Sequence, residues 1–504
     1  MEEKTKSRHR GWIGFLIFFI IVCLVGGGIF IAIQMNRNND NSSSSQSQTS
    51  SNSSQVQYSV TFDMNGYRTL DNITDYIDAN SVVTAPDINR PGYNLIWTID
   101  KSGETVWNFL DPITNNLTLY AQWSLISYTV NFDISGGIGT VPTSQQTHTL
   151  TYQDLNGITS KLQEPNVTSI SKEGYVFGGW WLKDDLGNML REWNFSTDLV
   201  TNDMTLYIGW ALSNTVGHYT IYEYDNAVKI IDYDNALVDG TLTIPSEISN
   251  KKVLSIGKDA FRNFVDADNV VLPSYLTTIC ESAFYGSLAV YQLTIPNSVT
   301  SIGKMAFHSC SNLYDLNLGT GVINIGEMGF YQCTSLGCFS KVTIPSNVRS
   351  IEDDAFNISA VNKPLNNIEF KEGLEYIGQE SFSHISASSI ALPDSLQYIS
   401  RDAFKYTYCL GEIHIGKGIQ VIGYDSFRYA QKENVIGYLH VYVNSIVPPE
   451  LVNAVAFGDF TITNGTPSRQ SFWIVVLDQS LEAYKTAPNW STYYSTRIVT
   501  FLLS

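Results

Sequence analysis

At 504 residues the chain is longer than one domain usually holds, and only 15% of its side chains are charged while 12% are aromatic. A formal net charge of −18 argues against nucleic acid, which needs a basic footprint, and against adsorption to anionic lipid. Six cysteines are too few for a disulfide framework at this length, so the composition fits β-rich extracellular modules better than a cytosolic enzyme.

Residues 1–10 carry Lys4, Lys6, Arg8 and Arg10 and are predicted to be a cytoplasmic tail. Gly11 to Ile33 is an apolar run of 23 residues without a charge, long enough for a transmembrane helix. Only Arg37 follows before a long neutral stretch. The positive-inside bias therefore predicts a single-pass plasma-membrane protein with its N-terminus cytoplasmic and its C-terminus extracellular. A cleaved signal peptide is the alternative; its apolar core is usually about 7–15 residues, and Gln34-Met35-Asn36 is a poor cleavage context. Residues 34–57 are almost all Asn, Ser and Gln, have nothing to bury, and read as a disordered spacer.

From Tyr58 the pattern changes to alternating strands. Tyr58-Ser-Val-Thr-Phe62 is followed by Pro91-Gly92-Tyr93, Trp97, Trp107-Asn108-Phe109 and Leu117-Thr-Leu-Tyr-Ala-Gln-Trp123. The same order returns as Tyr128-Thr-Val-Asn-Phe132, Gly174-Tyr175-Val-Phe177-Gly-Gly-Trp180, Trp193-Asn194-Phe195 and Met204-Thr-Leu-Tyr-Ile-Gly-Trp210. The chain thus carries two β modules, at 58–124 and 125–212, the second with a longer middle around Thr140–Ser171. They resemble the Listeria–Bacteroides repeat, a small β-grasp-like module of bacterial surface proteins. The tryptophans read either as a sugar or peptide platform or, preferably, as the large core side chains a small β domain needs. Trp181 breaks the alternation and is expected to be the exposed one.

Residues 213–504 are organised by a repeat of roughly 23 residues. Its anchors are Phe261, Phe284, Phe307, Phe330, Phe356, Phe382, Phe404 and Phe427, each with an isoleucine five residues earlier, from Ile256 to Ile422. Six residues before that isoleucine stand Pro273, Pro296, Gly319, Pro345, Lys371, Pro393 and Gly416, ending short alternating strands such as Leu293-Thr294-Ile295. One such coil cannot bury its apolar face, but a stack can. Two wider gaps place extra loops at Asn357–Leu365 and near Cys333–Lys341. Tyr219–Tyr224 and Ala227–Tyr233 read as a hairpin capping the stack, with Asp225-Asn226 as its turn. Val475–Asp478 is a predicted strand, Ser480 to Ala487 a short helix, and Trp490 closes the far end. These residues resemble the BspA-like class of leucine-rich-repeat surface proteins. The expected fold is mainly β: an N-terminal transmembrane helix, two β-grasp-like modules and a leucine-rich-repeat solenoid.

The histidines, including His308, His384 and His414, show no metal-pair spacing, and no nucleophile elbow or phosphate loop stands in a strand-to-helix context. Asp353-Asp354 and Asp232-x-Asp234 read as turn residues rather than calcium ligands. No catalytic residue, metal site or cofactor is expected. Cys310 and Cys333 follow neighbouring anchors by three residues, so they stack one coil apart, either bonded or, preferably, as buried thiols, since Cys280, Cys338 and Cys409 lack partners and Cys23 lies in the apolar span.

If Leu293 and Ile295 point inward, Gln292 and Thr294 point outward. The same register puts Asp315, Asn317, Lys341, Thr343, Asn367, Glu369, Ser389, Ala391, Glu412 and His414 on one polar, slightly acidic surface without aromatics. That surface is the expected ligand-binding face, for an extracellular protein or glycan. The BspA-like resemblance implies a non-enzymatic adhesin, and the pairing of the two repeat types implies a bacterium. The alternative is an envelope scaffold without an external ligand. No cell-wall sorting motif or second apolar span precedes Ser504, so the expected anchor is the N-terminal one.

Overall fold

The computed structural model describes residues 56–65, 72–86, 88, 92–148, 161–337, 341–358, 368–387, 389–409, 411–428, 439–453, 456–457, 472–493 and 498–501. The expected tail, membrane span, spacer up to 55, Cys23, Cys338, Asn367 and most of the two extra loops lie outside these. Among the described residues no helix is long and apolar enough to cross a membrane.

The first module is a four-stranded sheet of β1 (Gln57–Asp63), β2 (Ile73–Asp78), β3 (Tyr93–Thr98) and β4 (Leu117–Leu125), in the order β2-β1-β4-β3. Its central pair is parallel, with Phe62 opposite Leu119. The second module repeats this plan with β5 (Ser127–Asp133), β6 (Ser144–His148), β7 (Val176–Lys183), β8 (Met189–Glu192) and β9 (Met204–Val216). Again the central pair is parallel, with Phe132 opposite Leu206. Each core contains an edge-to-face pair at the same place: Phe62 and Trp97 at 5.0 Å, Phe132 and Trp180 at 5.1 Å. Trp97, Trp180, Trp193 and Trp210 are buried, as expected of core side chains. Trp181 corrects the expectation of exposure: no part of it reaches solvent, because β7 is covered on both faces.

The solenoid grows directly from β9. The second half of β9 pairs antiparallel with β10 (Tyr219–Glu223), which pairs with β11 (Ala227–Tyr233). From β11 a parallel ladder runs through Lys251–Ile256 and two-residue strands from Thr278–Ile279 to Glu450–Leu451. Every ladder isoleucine from Ile256 to Ile422 is wholly buried. A second set of strands lies on the other side of the coil: Thr241–Thr243, Asn269–Val271, Gln292–Thr294, Asp315–Asn317, Val342–Ile344, Ile368–Phe370, Ile390–Ala391, Glu412–Ile415, Leu439–Val443, Phe472–Leu477 and Ile498–Phe501. At the far end a 3-10 turn and the short helix α1 (Leu481–Thr486) bring Tyr484, Trp490 and Tyr493 into the core.

The anchor phenylalanines form one stack, with centroids 5.0–5.5 Å apart and planes within 1–12°. It extends the sequence reading by a ninth ring, Phe457, whose coil has Leu451 six residues before the ring rather than five. Tyr233 stacks on Phe261 at one end, and Trp490 tilts against Phe457 at the other.

Between isoleucine and phenylalanine the chain runs as a turn. The residue two before each of the eight anchors read from the sequence, from Asp259 to Asp425, has φ of 52–58° without being glycine. Such backbone costs about 1 kcal/mol per residue, and it aims the anchor N–H at the next coil. There Phe261 donates to Ala283 O at 2.7 Å and Phe330 to Ala355 O at 2.8 Å. Aspartate suits this position because its carboxylate also spans the turn, as Asp259–Arg262, Asp402–Lys405 and Asp425–Arg428 do at 2.7–2.8 Å. Asp354 is such a residue and accepts from Asn357 Nδ2 at 2.7 Å, which gives it the turn role read from the sequence.

Cys310 and Cys333 are free and buried. Each donates to the carbonyl of the preceding anchor, Phe284 or Phe307, at 3.1 Å. Thr407 does the same toward Phe382 at 3.0 Å, so this column needs a small donor. Burial pushes both thiols well above their ordinary pKa.

Candidate functional site

The two strand sets give the solenoid two faces with different fates. On the isoleucine ladder, the residue before each isoleucine points outward: Ser255, Thr278, Ser301, Asn324 and Ser350. All five are nonetheless buried, because the second module lies against them. Ser255 Oγ donates to Glu192 Oε2 at 2.6 Å, Thr278 Oγ1 donates to Glu192 O at 3.0 Å, and Thr197 Oγ1 meets Ser301 Oγ at 2.6 Å. Lys229 of β11 is paired with Glu192, both nearly removed from solvent. Burial is the largest influence on Lys229 and opposes its charge, but the Glu192 carboxylate, Cys280 and Tyr224 around it together raise the ammonium pKa. Lys161, in the long middle segment of the second module, reaches Glu352 at 2.8 Å.

The apolar part of this joint is Trp181 against Tyr224, 4.8 Å between centroids, with Ala211, Ala227 and Leu254 around them. Tyr224 Oη donates to Gly178 O at 2.6 Å. A Cβ on Gly178 would sit 2.4 Å from that hydroxyl, and one on Gly209 would sit 2.5 Å from Trp181. The β7–β9 register shifts between Phe177 and Trp180, so Gly178 and Gly179 form a bulge, and Gly179 has φ +111°. The first module has the regular pair Ile96–Gln122 at the equivalent place. Past Ser350 the ladder residues become large: Tyr376, Tyr398 and Val421 pack on one another.

The second face is open, and it is the one predicted to bind. Its inward residues, such as Leu293, Leu316, Val342 and Ile413, are buried. Gln292, Thr294, Asn317, Lys341 and Glu412 are exposed, and Asp315, Thr343, Glu369 and His414 half-buried. The register brings Gln292 opposite Asp315, Thr294 opposite Asn317, and Thr343 opposite Glu369. Asn367 lies outside the described residues. Lys341 and Lys371 both pair with Glu369 at 2.7 Å, and together they hold its carboxyl down to about 2.

The expectation of a face without aromatics is corrected at its C-terminal end. Glu412 is in register with His440 and Trp473, and His414 with Tyr442. His414 stacks on Tyr442, 4.4 Å between centroids and 2° between planes. Sequence reasoning stopped at His414 because the regular spacing ends at Phe427; the alternation Leu439-His440-Val441-Tyr442-Val443 was the available signal.

This geometry, parallel coils of about 23 residues around one aromatic stack, defines a leucine-rich-repeat solenoid joined to two small mixed-sheet modules. Residues 239–362 and 338–441 match the BspA type leucine rich repeat region, and residues 58–122 and 128–207 the Listeria-Bacteroides repeat domain. The chain thus carries a BspA-type leucine-rich-repeat region within 239–441 and two Listeria–Bacteroides repeats before it. Among similar proteins, internalin H of Listeria monocytogenes is 33% identical over 155 residues, 30% of this chain and 24% of that one. A protein named as a membrane protein from Evansella cellulosilytica is 29% identical over 172 residues, 34% of this chain and 23% of that one. The chain thus spans about a quarter of the length of these curated relatives. Of solved structures, the T. pallidum leucine-rich-repeat protein aligns with a TM-score of 0.32 and 20% identity, covering 44% of this chain and 91% of that one.

Proposed function

We propose that the chain is a non-enzymatic binding protein displayed at the cell surface, tethered by residues 11–33 and reaching its partner through the open strand face of the solenoid. One observation carries this: of two strand faces, the second module covers one from Ser255 to Ser350 and leaves the other, with Gln292, Thr294, Asp315, Asn317, Lys341, Thr343, Glu369, Glu412 and His414, to solvent. Solenoids bind along such stacked faces. The partner is an extracellular protein or glycan. A relative named as a membrane protein supports the location, and the apolar run at 11–33 supports the N-terminal tether.

The test is saturable binding of the full-length chain to matrix proteins and to immobilised glycans, repeated with charge reversal at Asp315, Glu369 and Glu412. Binding weakened by the reversals supports the reading. No binding at any concentration moves the assignment to an envelope scaffold, which the fused joint between module and solenoid also suits. Digestion of intact cells with an impermeant protease tests the orientation: loss of the solenoid is expected, and its protection would refute the topology.

A further inference from the structure

We propose that the C-terminal end of the open face, centred on Tyr442, is a binding site for an uncharged glycan. This rests on the reading that the open face is the ligand face. Three neighbouring strands present one patch. Glu412, His440 and Trp473 form one row, and His414 and Tyr442 the next. The side chains are tied to one another. Tyr442 Oη donates to Glu412 Oε1 at 3.2 Å, and His414 Nε2 lies 3.1 Å from Glu412 Oε2. These bonds, with the stacked His414 and Tyr442 rings, fix the carboxylate in place. Its side chain remains 48% exposed and that of His414 39%.

The chemistry is that of a sugar site. A carboxylate and imidazole edges hydrogen-bond hydroxyls, and aromatic rings cover the apolar C–H face of a pyranose. Leading to the patch, the exposed residues Gln292, Thr294, Asn317 and Ser389 are amides and hydroxyls, able to accept and donate along a polymer. A protein partner would call for a desolvated apolar centre, which these positions lack. Charge selects further. Glu412 at the centre of the patch and the net charge of −18 repel sulfated or acidic chains.

The experiment uses the full-length chain against neutral hexose and N-acetylhexosamine oligomers, a sulfated oligosaccharide and matrix proteins. A neutral oligomer should bind saturably. Tyr442→Ala and Glu412→Gln should each weaken it at least ten-fold, Tyr442→Phe less, and Asp225→Asn, exposed in the turn of the capping hairpin, not at all. Glu412→Gln, on a half-exposed side chain, keeps the test valid if Tyr442→Ala fails to fold. Neutral-glycan binding that ignores both substitutions overturns the site. Binding only to the sulfated chain or only to protein overturns the ligand class while leaving the proposed function standing. Binding to nothing removes both.

Discussion

Phe330 lies between Phe307 and Phe356, 5.2 Å from each ring, and none of it reaches solvent. Phe330→Ala should therefore destabilise the solenoid by about 3–5 kcal/mol in chemical denaturation, since neighbours above and below cannot both collapse into the gap. Its burial was legible because a residue recurring every 23 positions in a stack faces the same way each time. The left-handed residues two positions earlier were not, because aspartate, serine, methionine and glutamate share that conformation and no side-chain type announces it. His308 carries a second prediction. It stacks between Tyr285 and Tyr331 at 4.5 and 4.9 Å, and burial, then Arg262, lower its pKa. A depressed histidine pKa contributes stability that is present above the unfolded value of about 6.5 and is lost as pH falls through the folded one. His308→Phe keeps a ring in the stack and removes that titration. The fall in melting temperature from pH 7.5 to 5.5 should be smaller in the variant; an equal fall would mean the ring is not depressed.

At the scale of elements, the decisive difference is between β3 and β7. In the first module, Ile96 faces Gln122 in a regular ladder; in the second, the Gly178-Gly179 bulge faces Gly209. The glycines remove side chains where Tyr224 and Trp181 enter. Gly209→Ala should loosen the joint, because its Cβ would fall within 3 Å of both aromatic rings and the bulged strand has no room to retreat. Limited proteolysis should then cut at Gly217-His218, between β9 and β10, sooner than in the parent chain. Reading Trp181 by alternation alone missed this, since alternation assumes one solvated face. Comparing the two copies would have exposed it, as would the ladder residues, small from Ser255 to Ser350 and large from Tyr376. The ion pair in the joint is a sharper probe. Glu192→Ala strands the buried Lys229 ammonium and should cost about 3–5 kcal/mol, whereas Glu192→Leu with Lys229→Met should recover most of that. Equal losses in both variants would mean that the packing around the pair, not its charge, holds the joint.

For the whole molecule, the shared strand β9 decides how the parts behave. Its first half completes the sheet of the second module, opposite β5 and β7, and its second half begins the solenoid cap opposite β10. The change of repeat places a sequence boundary near residue 212, but β9 runs straight through it, and a sequence boundary is not a mechanical one. The polar joint from Ser255 to Glu352 and the Trp181–Tyr224 contact couple both sides of it. Residues 126–504 should accordingly melt in one transition that includes Trp181, followed by tryptophan fluorescence and far-ultraviolet dichroism together. Residues 212–504 alone would expose the ladder from Ser255 to Ser350, the ring of Tyr224 and an unpaired Lys229. That fragment should melt well below the longer one and bind a hydrophobic dye at temperatures where the longer one does not. Equal melting of the two fragments would show that the second module only rests on the solenoid, and the open face would then owe nothing of its rigidity to the covered one.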